Sequence, residues 1–374
     1  MKKKVLFFIP SLEGGGAEKV MVNILRRADK SKIEPVLMLL SPFEQSPYRE
    51  LLPEHLRVII VKRNSDTCIE KIKQCVKFIR VVKKENPKRI LSMLTHTNIL
   101  AIMTGISLGI KVTVCEHNTI GELIKTREGR RILWFPVAPL VKIFYRFADR
   151  IIAVSQGIEK NLVEEFGIAA GTIGVIYNPV DIDHISGLSS RPLEHSFFQE
   201  GVPIILAMGR LVRQKGFDLL IGAFREVLSE LDARLIIAGE GHERESLQGL
   251  AKDLGIATKV SFVGFQTNPY ALMSKADVFV LPSRIEGLPM VLLEALTCGI
   301  PVISTDCCSG PCEILKNGEC GLLVSSGDVD ALSDGILRLL KDKDLMEKYS
   351  LVGKERAMDF SIDKIIKQYE DIIV

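Results

Sequence analysis

The sequence predicts an α/β protein in two domains, each a parallel sheet flanked by helices, and two observations carry that expectation. Short apolar runs rich in β-branched residues alternate along the whole chain with amphipathic stretches of helical length, the signature of parallel strands joined by helical crossovers. The 374 residues also exceed what one core commonly supports, and their charge is split. Residues 1–180 hold 29 Lys+Arg against 17 Asp+Glu, whereas the remainder holds 20 against 29. The expected division is 1–182 together with a returning C-terminal segment 357–374, and 183–356. Composition is that of an ordinary globular chain, 47% hydrophobic and 25% charged, which argues against disorder or a fibrous repeat.

Taken in order, Val5–Ile9 reads as the first strand rather than a signal peptide, because Pro10 and a glycine cluster cut the apolar run short. No stretch reaches the length of a membrane span, and the eight cysteines contain no C-x-x-C pair, so reduced thiols in a cytoplasmic protein are expected. Gly14-Gly15-Gly16 at the strand-to-helix turn lets backbone amides approach a ligand. A Walker loop is excluded, since no Lys-Ser/Thr follows. Further strands are expected at 35–40, 58–61, 90–94, 112–115, 151–154 and 174–176. The lysine-rich helix near 69–85 reads as a solvated face. His96 and His117 fall just past strand ends, where ligands bind in open α/β sheets and where a histidine equally serves to cap or pack. Residues 125–147 mix Lys/Arg with Trp134, Phe135, Phe144, Tyr145 and Phe147, which suggests either an interfacial membrane contact or a helix packed on the core. Asn178–Asp183 reads as a linker, with Asp181-Ile182-Asp183 a hinge rather than a metal motif.

The second series opens with a strand at 204–208 leading to Arg210 and Lys215, cations placed to meet an anion. Strands at 235–238 and 260–263 end in Gly239-Glu240-Gly241 and Gly264-Phe265; the latter pair suits a nucleobase. The chain then reaches its most telling stretch, 277–313. A strand at 277–281 is followed by a loop with Glu286-Gly287-Leu288, and by a helix expected from Pro289 to Gly299. That helix is apolar almost all round, hence buried, yet carries Glu294, and a buried charge is costly unless paired. Backbone N–H groups and the helix dipole make an anion site at its start. Sugar hydroxyls on Glu286, diphosphate at the helix start and a ribose diol on Glu294 would use all three; the alternative on the residues alone is a buried structural helix whose two glutamates are satisfied by neighbouring amides. A strand at 301–304 and a terminal helix at 362–372 complete the series.

Five ordered segments carry a resemblance: GGGAEKVMVNI (14–24), AVSQGI (153–158), GRLVRQKGFDLLI (209–221), ADVFVLPSRIEGLPMVLLEALTCGIPVIS (276–304) and SGPCEIL (309–315). Together they resemble retaining glycosyltransferases of the GT-B fold, the glycosyl transferases group 1 family. SGPCEIL and 264–270 most resemble enzymes of bacterial surface polysaccharide and lipid-linked oligosaccharide assembly. The resemblance implies two Rossmann-like domains facing each other across a cleft, with the C-terminal helix crossing back to the first. It implies that Glu286, aided by Gly287 and Leu288, holds the donor sugar and that Glu294 binds the ribose. Arg210 and Lys215 would neutralise the leaving diphosphate, and Gly15 and Gly16 would close on the donor phosphates. Glu240, Gly264 and Phe265 would complete the donor pocket, and His117 would stand beside the reacting centre. Neither metal nor cofactor is expected. The implied partners are a UDP-sugar and a lipid-linked or polysaccharide acceptor, with an anionic membrane surface facing the basic first domain and no nucleic acid. A UDP-sugar epimerase on the same scaffold and a non-catalytic nucleotide-binding protein are the competing readings. Cys308 and Cys312 depart from the proline and basic residue common in relatives.

Overall fold

A computed structural model describes residues 2–65, 67–125 and 137–373. The chain forms two compact units, Met1–Pro179 with Ile362–Val374, and Val180–Ser361. The divisions fall at 179/180 and 361/362, a few residues from the expected 182/183 and 356/357, because each is set by where chain contacts change rather than by composition.

The first unit contains β1 (Lys3–Phe8), α1 (Gly16–Arg27), β2 (Ile33–Leu39), β3 (Arg57–Ile60), α2 (Cys68–Glu85), β4 (Arg89–Met93), α3 (Thr95–Leu108), β5 (Lys111–Glu116), α4 (Ile120–Lys125), α5 (Val137–Phe144), β6 (Arg150–Ala153), α6 (Gln156–Glu164) and β7 (Ile173–Val175). Its strands pair in parallel in the order β3-β2-β1-β4-β5-β6-β7. Strands such as VLFF in β1 and ILSM in β4 are apolar on both faces because helices cover both. The order reverses between β1 and β4, which makes their carboxyl ends the expected ligand crevice of this sheet.

The second unit runs α7 (Ile182–Ser189), β8 (Ile204–Met208), α8 (Phe217–Glu230), β9 (Arg234–Ala238), α9 (Arg244–Asp253), β10 (Val260–Gly264), α10 (Pro269–Met273), β11 (Val278–Leu281), α11 (Met290–Cys298), β12 (Val302–Asp306), α12 (Pro311–Ile314), β13 (Leu322–Ser325), α13 (Val329–Lys341) and α14 (Lys343–Ala357). Its parallel sheet has the order β10-β9-β8-β11-β12-β13, reversing between β8 and β11. The chain ends with α15 (Ile362–Ile373), which packs against α1 of the first unit. There Glu370 accepts from the Asp29 amide at 2.8 Å, and buried Tyr369 reaches under β5.

Several expectations change. Asp181-Ile182-Asp183, expected as a hinge, directly follows the division at Pro179/Val180 and also opens a helix: Asp181 is buried and its carboxylate accepts from the His184 amide at 3.3 Å, capping α7. The helix carrying Glu294 begins at Met290 with Pro289 as its N-cap, one residue later than expected, and ends on left-handed Gly299. Strand β13 and helices α9, α13 and α14 went unplaced in the sequence reading. Of the basic aromatic stretch, Trp134 and Phe135 lie outside the described residues. Tyr145 is fully buried rather than a surface aromatic, and Phe147 is exposed. No helix among the described residues is long and apolar enough to cross a membrane.

Candidate active site

The second unit builds its site where β8 and β11 lie side by side, so the loops after these two strands meet although some 70 residues separate them in sequence. The Lys215 ammonium donates to Glu286 Oε1 at 2.6 Å, and the Ser283 hydroxyl donates to the same oxygen at 2.7 Å. Glu286 and Glu294 are both buried, Lys215 is partly exposed, and Arg210 stands exposed at the end of β8.

The Glu286 loop is clamped from both sides. On the β8 side, the Gln214 side chain donates to the Ile285 carbonyl at 3.0 Å. The Arg284 guanidinium donates to both oxygens of Asp218, on α8, at 2.6 and 2.7 Å. Burial works to raise the Asp218 carboxyl, but the Arg284 hydrogen bonds and charge outweigh it and leave the pKa below the usual value. Gly216, left-handed at φ +67°, passes so close to Pro282 that a Cβ would stand 2.0 Å from its carbonyl oxygen. From the β12 side, the Ser309 hydroxyl donates to the Gly287 carbonyl at 2.9 Å. Gly310, at φ +91°, lies where a Cβ would meet that same oxygen at 2.5 Å.

Other expected donor contacts are placed as follows. Glu240 pairs with Arg244 of α9 at 2.6 Å and is largely exposed. Gly264 closes β10 in a left-handed conformation, and the Phe265 ring beside it is 52% exposed, leaving a face for stacking. Among the eight cysteines, Cys308 is exposed, and the Cys312 thiol donates to Asn317 Oδ1 at 2.9 Å.

In the first unit, the glycine loop is not an empty cradle. The amides of Gly14 and Gly15 both donate at 2.6 Å to Glu18 Oε2, and the Ser11 hydroxyl donates to Oε1 at 2.9 Å. Gly15 is the N-cap of α1 and Gly16 its first residue. A phosphate would therefore meet the Gly15 amide only in competition with the chain's own carboxylate. Burial raises the Glu18 pKa, against these hydrogen bonds.

The end of β5 holds a second cluster. Strand alternation sends Cys115 and Glu116 to opposite faces. Cys115 Sγ lies 3.4 Å from His117 Nε2 and 3.4 Å from the Tyr369 hydroxyl of α15. Burial pushes the Cys115 thiol up to about 12 and the His117 imidazole down to about 3, so His117 is neutral at pH 7. It is thus a hydrogen-bonding group rather than a cation. On the other face Glu116, fully buried, accepts from the Tyr145 hydroxyl at 2.7 Å, from Thr95 at 3.0 Å, and from the amides of His117 and Asn118 at 3.1 and 3.3 Å. His96 follows Thr95 in the first turn of α3. Sequence reasoning missed Glu116, Tyr145, Ser283, Ser309 and the Arg284–Asp218 pair. Glu116 had a signal: a carboxylate closing the apolar strand VTVCE raises the same question as Glu294.

Two parallel-sheet Rossmann-like units in one chain are the architecture of the GT-B fold. Residues 193–356 match the family model "Glycosyl transferases group 1", and residues 14–184 match "Glycosyltransferase Family 4". The chain is 30% identical to the N-acetyl-alpha-D-glucosaminyl L-malate synthase of Bacillus anthracis over 68% of each protein. It is 29% identical, over 98% of each, to a Campylobacter jejuni N-acetylgalactosaminyltransferase that acts on a saccharide linked to diphospho-undecaprenol. A 33% match to an uncharacterized glycosyltransferase of Methanocaldococcus jannaschii spans 62% of this chain and 65% of that protein. Among solved structures, Anabaena HepE in complex with UDP and glucose superposes with a TM-score of 0.83 at 20% identity, covering 99% of both chains. The protein belongs to the glycosyl transferases group 1 family.

Proposed function

We propose that this protein is a retaining, metal-independent glycosyltransferase. In this reading it moves a hexose or N-acetylhexosamine from a UDP-sugar to a lipid-linked or polysaccharide acceptor in bacterial surface glycan assembly. The observation that carries the reading is the cluster of partly exposed Lys215 with buried Glu286 and Ser283 at the β8/β11 switch point, with a helix N-terminus directly after it. The lipid-linked acceptor is supported by relatives whose names specify undecaprenol-linked saccharides, and the UDP-sugar by Anabaena HepE, solved in complex with UDP and glucose.

The chemistry follows from charge. As the bond between the anomeric carbon and the diphosphate oxygen breaks, negative charge grows on UDP. In this reading Lys215, exposed Arg210 and the N-terminal end of α11 stabilise that charge without a metal ion. The acceptor oxygen then bonds to the same face of the sugar, and its proton passes to the leaving phosphate. Glu286 holds sugar hydroxyls and Glu294 the ribose. His117, neutral, donates or accepts a hydrogen bond at the sugar instead of acting as a base. With Gly14 and Gly15 engaged by Glu18, the glycine loop serves the donor phosphates only if Glu18 yields.

Product mass spectrometry with a UDP-sugar panel and a bacterial lipid extract tests the reading. Glu286→Ala should lower turnover on the order of a hundredfold or more while UDP still binds; undiminished turnover would sink the assignment. Conversion of the sugar in the absence of acceptor would instead indicate an epimerase.

The membrane contact belongs to the same reading. The exposed face of α2 carries Ile69, Ile72 and Val76 beside Lys73, Lys77 and Arg80, an apolar stripe edged by cations. Co-sedimentation with anionic liposomes that weakens as salt rises is the expected result; equal recovery with neutral liposomes at every salt concentration would refute it.

A further inference from the structure

We propose that Glu116 is a positioning residue: its ionised carboxylate ties the backbone of His117 and Asn118 to the start of α3 and thereby fixes where the His117 imidazole stands. This rests on His117 being the histidine beside the reacting sugar.

Four donors converge on one buried carboxylate. Oε1 accepts from the His117 amide (3.1 Å), the Asn118 amide (3.3 Å) and the Thr95 hydroxyl (3.0 Å). Oε2 accepts from the Tyr145 hydroxyl (2.7 Å) and shares the Thr95 proton (3.0 Å). Tyr145 is held in turn by Asn98, whose amide donates to its oxygen at 3.2 Å and to the Cys115 carbonyl at 3.0 Å. The carboxylate thus joins the loop after β5 to the first residue of α3 and to the segment following α5. Among the described residues no lysine or arginine pairs with it. The titratable groups around it are Tyr145, its strand neighbour Cys115 and His117, with Tyr369 reaching Cys115 from the opposite face. All are neutral near pH 7.

A role in packing alone would not need a charge. An uncharged side chain of similar size would fill the space without losing the hydration of an ion. What the charge supplies is an acceptor for four donors at once, with no proton of its own to place. Burial pushes the Glu116 carboxyl up to about 7, against the hydrogen bonds of Tyr145 and Thr95. When it protonates, one oxygen becomes a donor among donors, and the longest contacts, those to the two loop amides, give way first. The His117 turn is then held near and above pH 7 and released below it.

Glu116→Gln places an NH2 group among the same donors at every pH. In the full-length protein, hydrogen exchange of the His117 and Asn118 amides should show protection that rises through about pH 7 in the wild type and is missing in the variant. With the UDP-sugar identified by the panel, E116Q should lower kcat on the order of ten- to a hundredfold. The KM for donor should stay unchanged, and the acid limb near pH 7 should disappear. Tyr145→Phe keeps the charge but removes a hydrogen bond that favours it, so the acid limb should move upward by roughly half a pH unit with its plateau intact. Wild-type amide protection and an unaltered pH profile in E116Q overturn the proposal. If E116Q does not fold, an unshifted limb in Y145F does so. Full activity in His117→Ala would discard the reading of His117, and the amide exchange would still judge whether Glu116 holds the turn.

Discussion

The two units place buried carboxylates at the carboxyl ends of similar parallel sheets but satisfy them in opposite ways. In the second unit, Glu286 has an ammonium at 2.6 Å, and the neighbouring Arg284–Asp218 pair is a two-pronged ion pair. Its loop is further fixed by backbone approaches at Gly216 and Gly310. In the first unit, Glu116 has only hydroxyls and amides around it, and the adjacent His117 is neutral. In the second unit the Arg284 hydrogen bonds and charge outweigh burial and hold the Asp218 carboxyl below its usual value. In the first unit hydroxyls and amides do not offset burial, and the Glu116 carboxyl rises to about 7. The difference teaches that a two-pronged cation beside one sheet end keeps a carboxylate charged, while neutral donors at the other leave one to titrate.

The largest effect expected from this contrast is a pH-dependent stability specific to the first unit. Glu116 titrates near 7 in the folded protein against a reference value of 4.5. Its contribution is therefore fully present below 4.5 and lost as pH rises through about 7, amounting to about 3 kcal/mol. His117 works the other way: with its pKa lowered from 6.5 to about 3, stability is lost as pH falls through that window. Between about 4.5 and 6.5 the two oppose each other, so the wild-type curve alone is uninformative. Denaturant titrations of wild type and E116Q at several pH values isolate the carboxylate. The stability of E116Q relative to wild type should rise by about 3 kcal/mol between pH 4.5 and 7 and level off above. A flat difference would mean that Glu116 does not titrate there, and the contrast between the units would fail.

A smaller effect tests the second unit. Gly310→Ala forces a Cβ to within 2.5 Å of the Gly287 carbonyl and keeps it at positive φ. A loss of about 2 kcal/mol is expected, with weaker UDP binding as the Glu286 loop shifts. Thermal denaturation and UDP calorimetry measure both. Unchanged UDP affinity would show that the β12 side does not shape the nucleotide site.

Much of this arrangement was legible before the fold was known, for identifiable reasons. Strand positions followed from apolar runs, and Glu294 announced itself as a carboxylate on an otherwise apolar helix. Lys215 and Glu286 were each placed near an anion site from local pattern. Their direct contact was not foreseeable, because it depends on β8 and β11 being neighbours despite β9 and β10 lying between them in the chain. The same holds for Arg284 with Asp218 and for Ser309 with Gly287. Glu18 was a different kind of miss. Its position three residues after Gly15 is an ordinary capping-box spacing, so the loop amides have a partner within the chain itself.

Local periodicity, chain length and short motifs were enough to establish two parallel-sheet domains and a family resemblance, and to single out Lys215, Glu286 and Glu294 as candidates. Those features depend on spacing of a few residues along one strand or helix. Tertiary structure alone decided which donors reach which carboxylate. Glu286 received a lysine and Glu116 received none, because strand order and face alternation, rather than sequence proximity, determine what stands beside a buried charge.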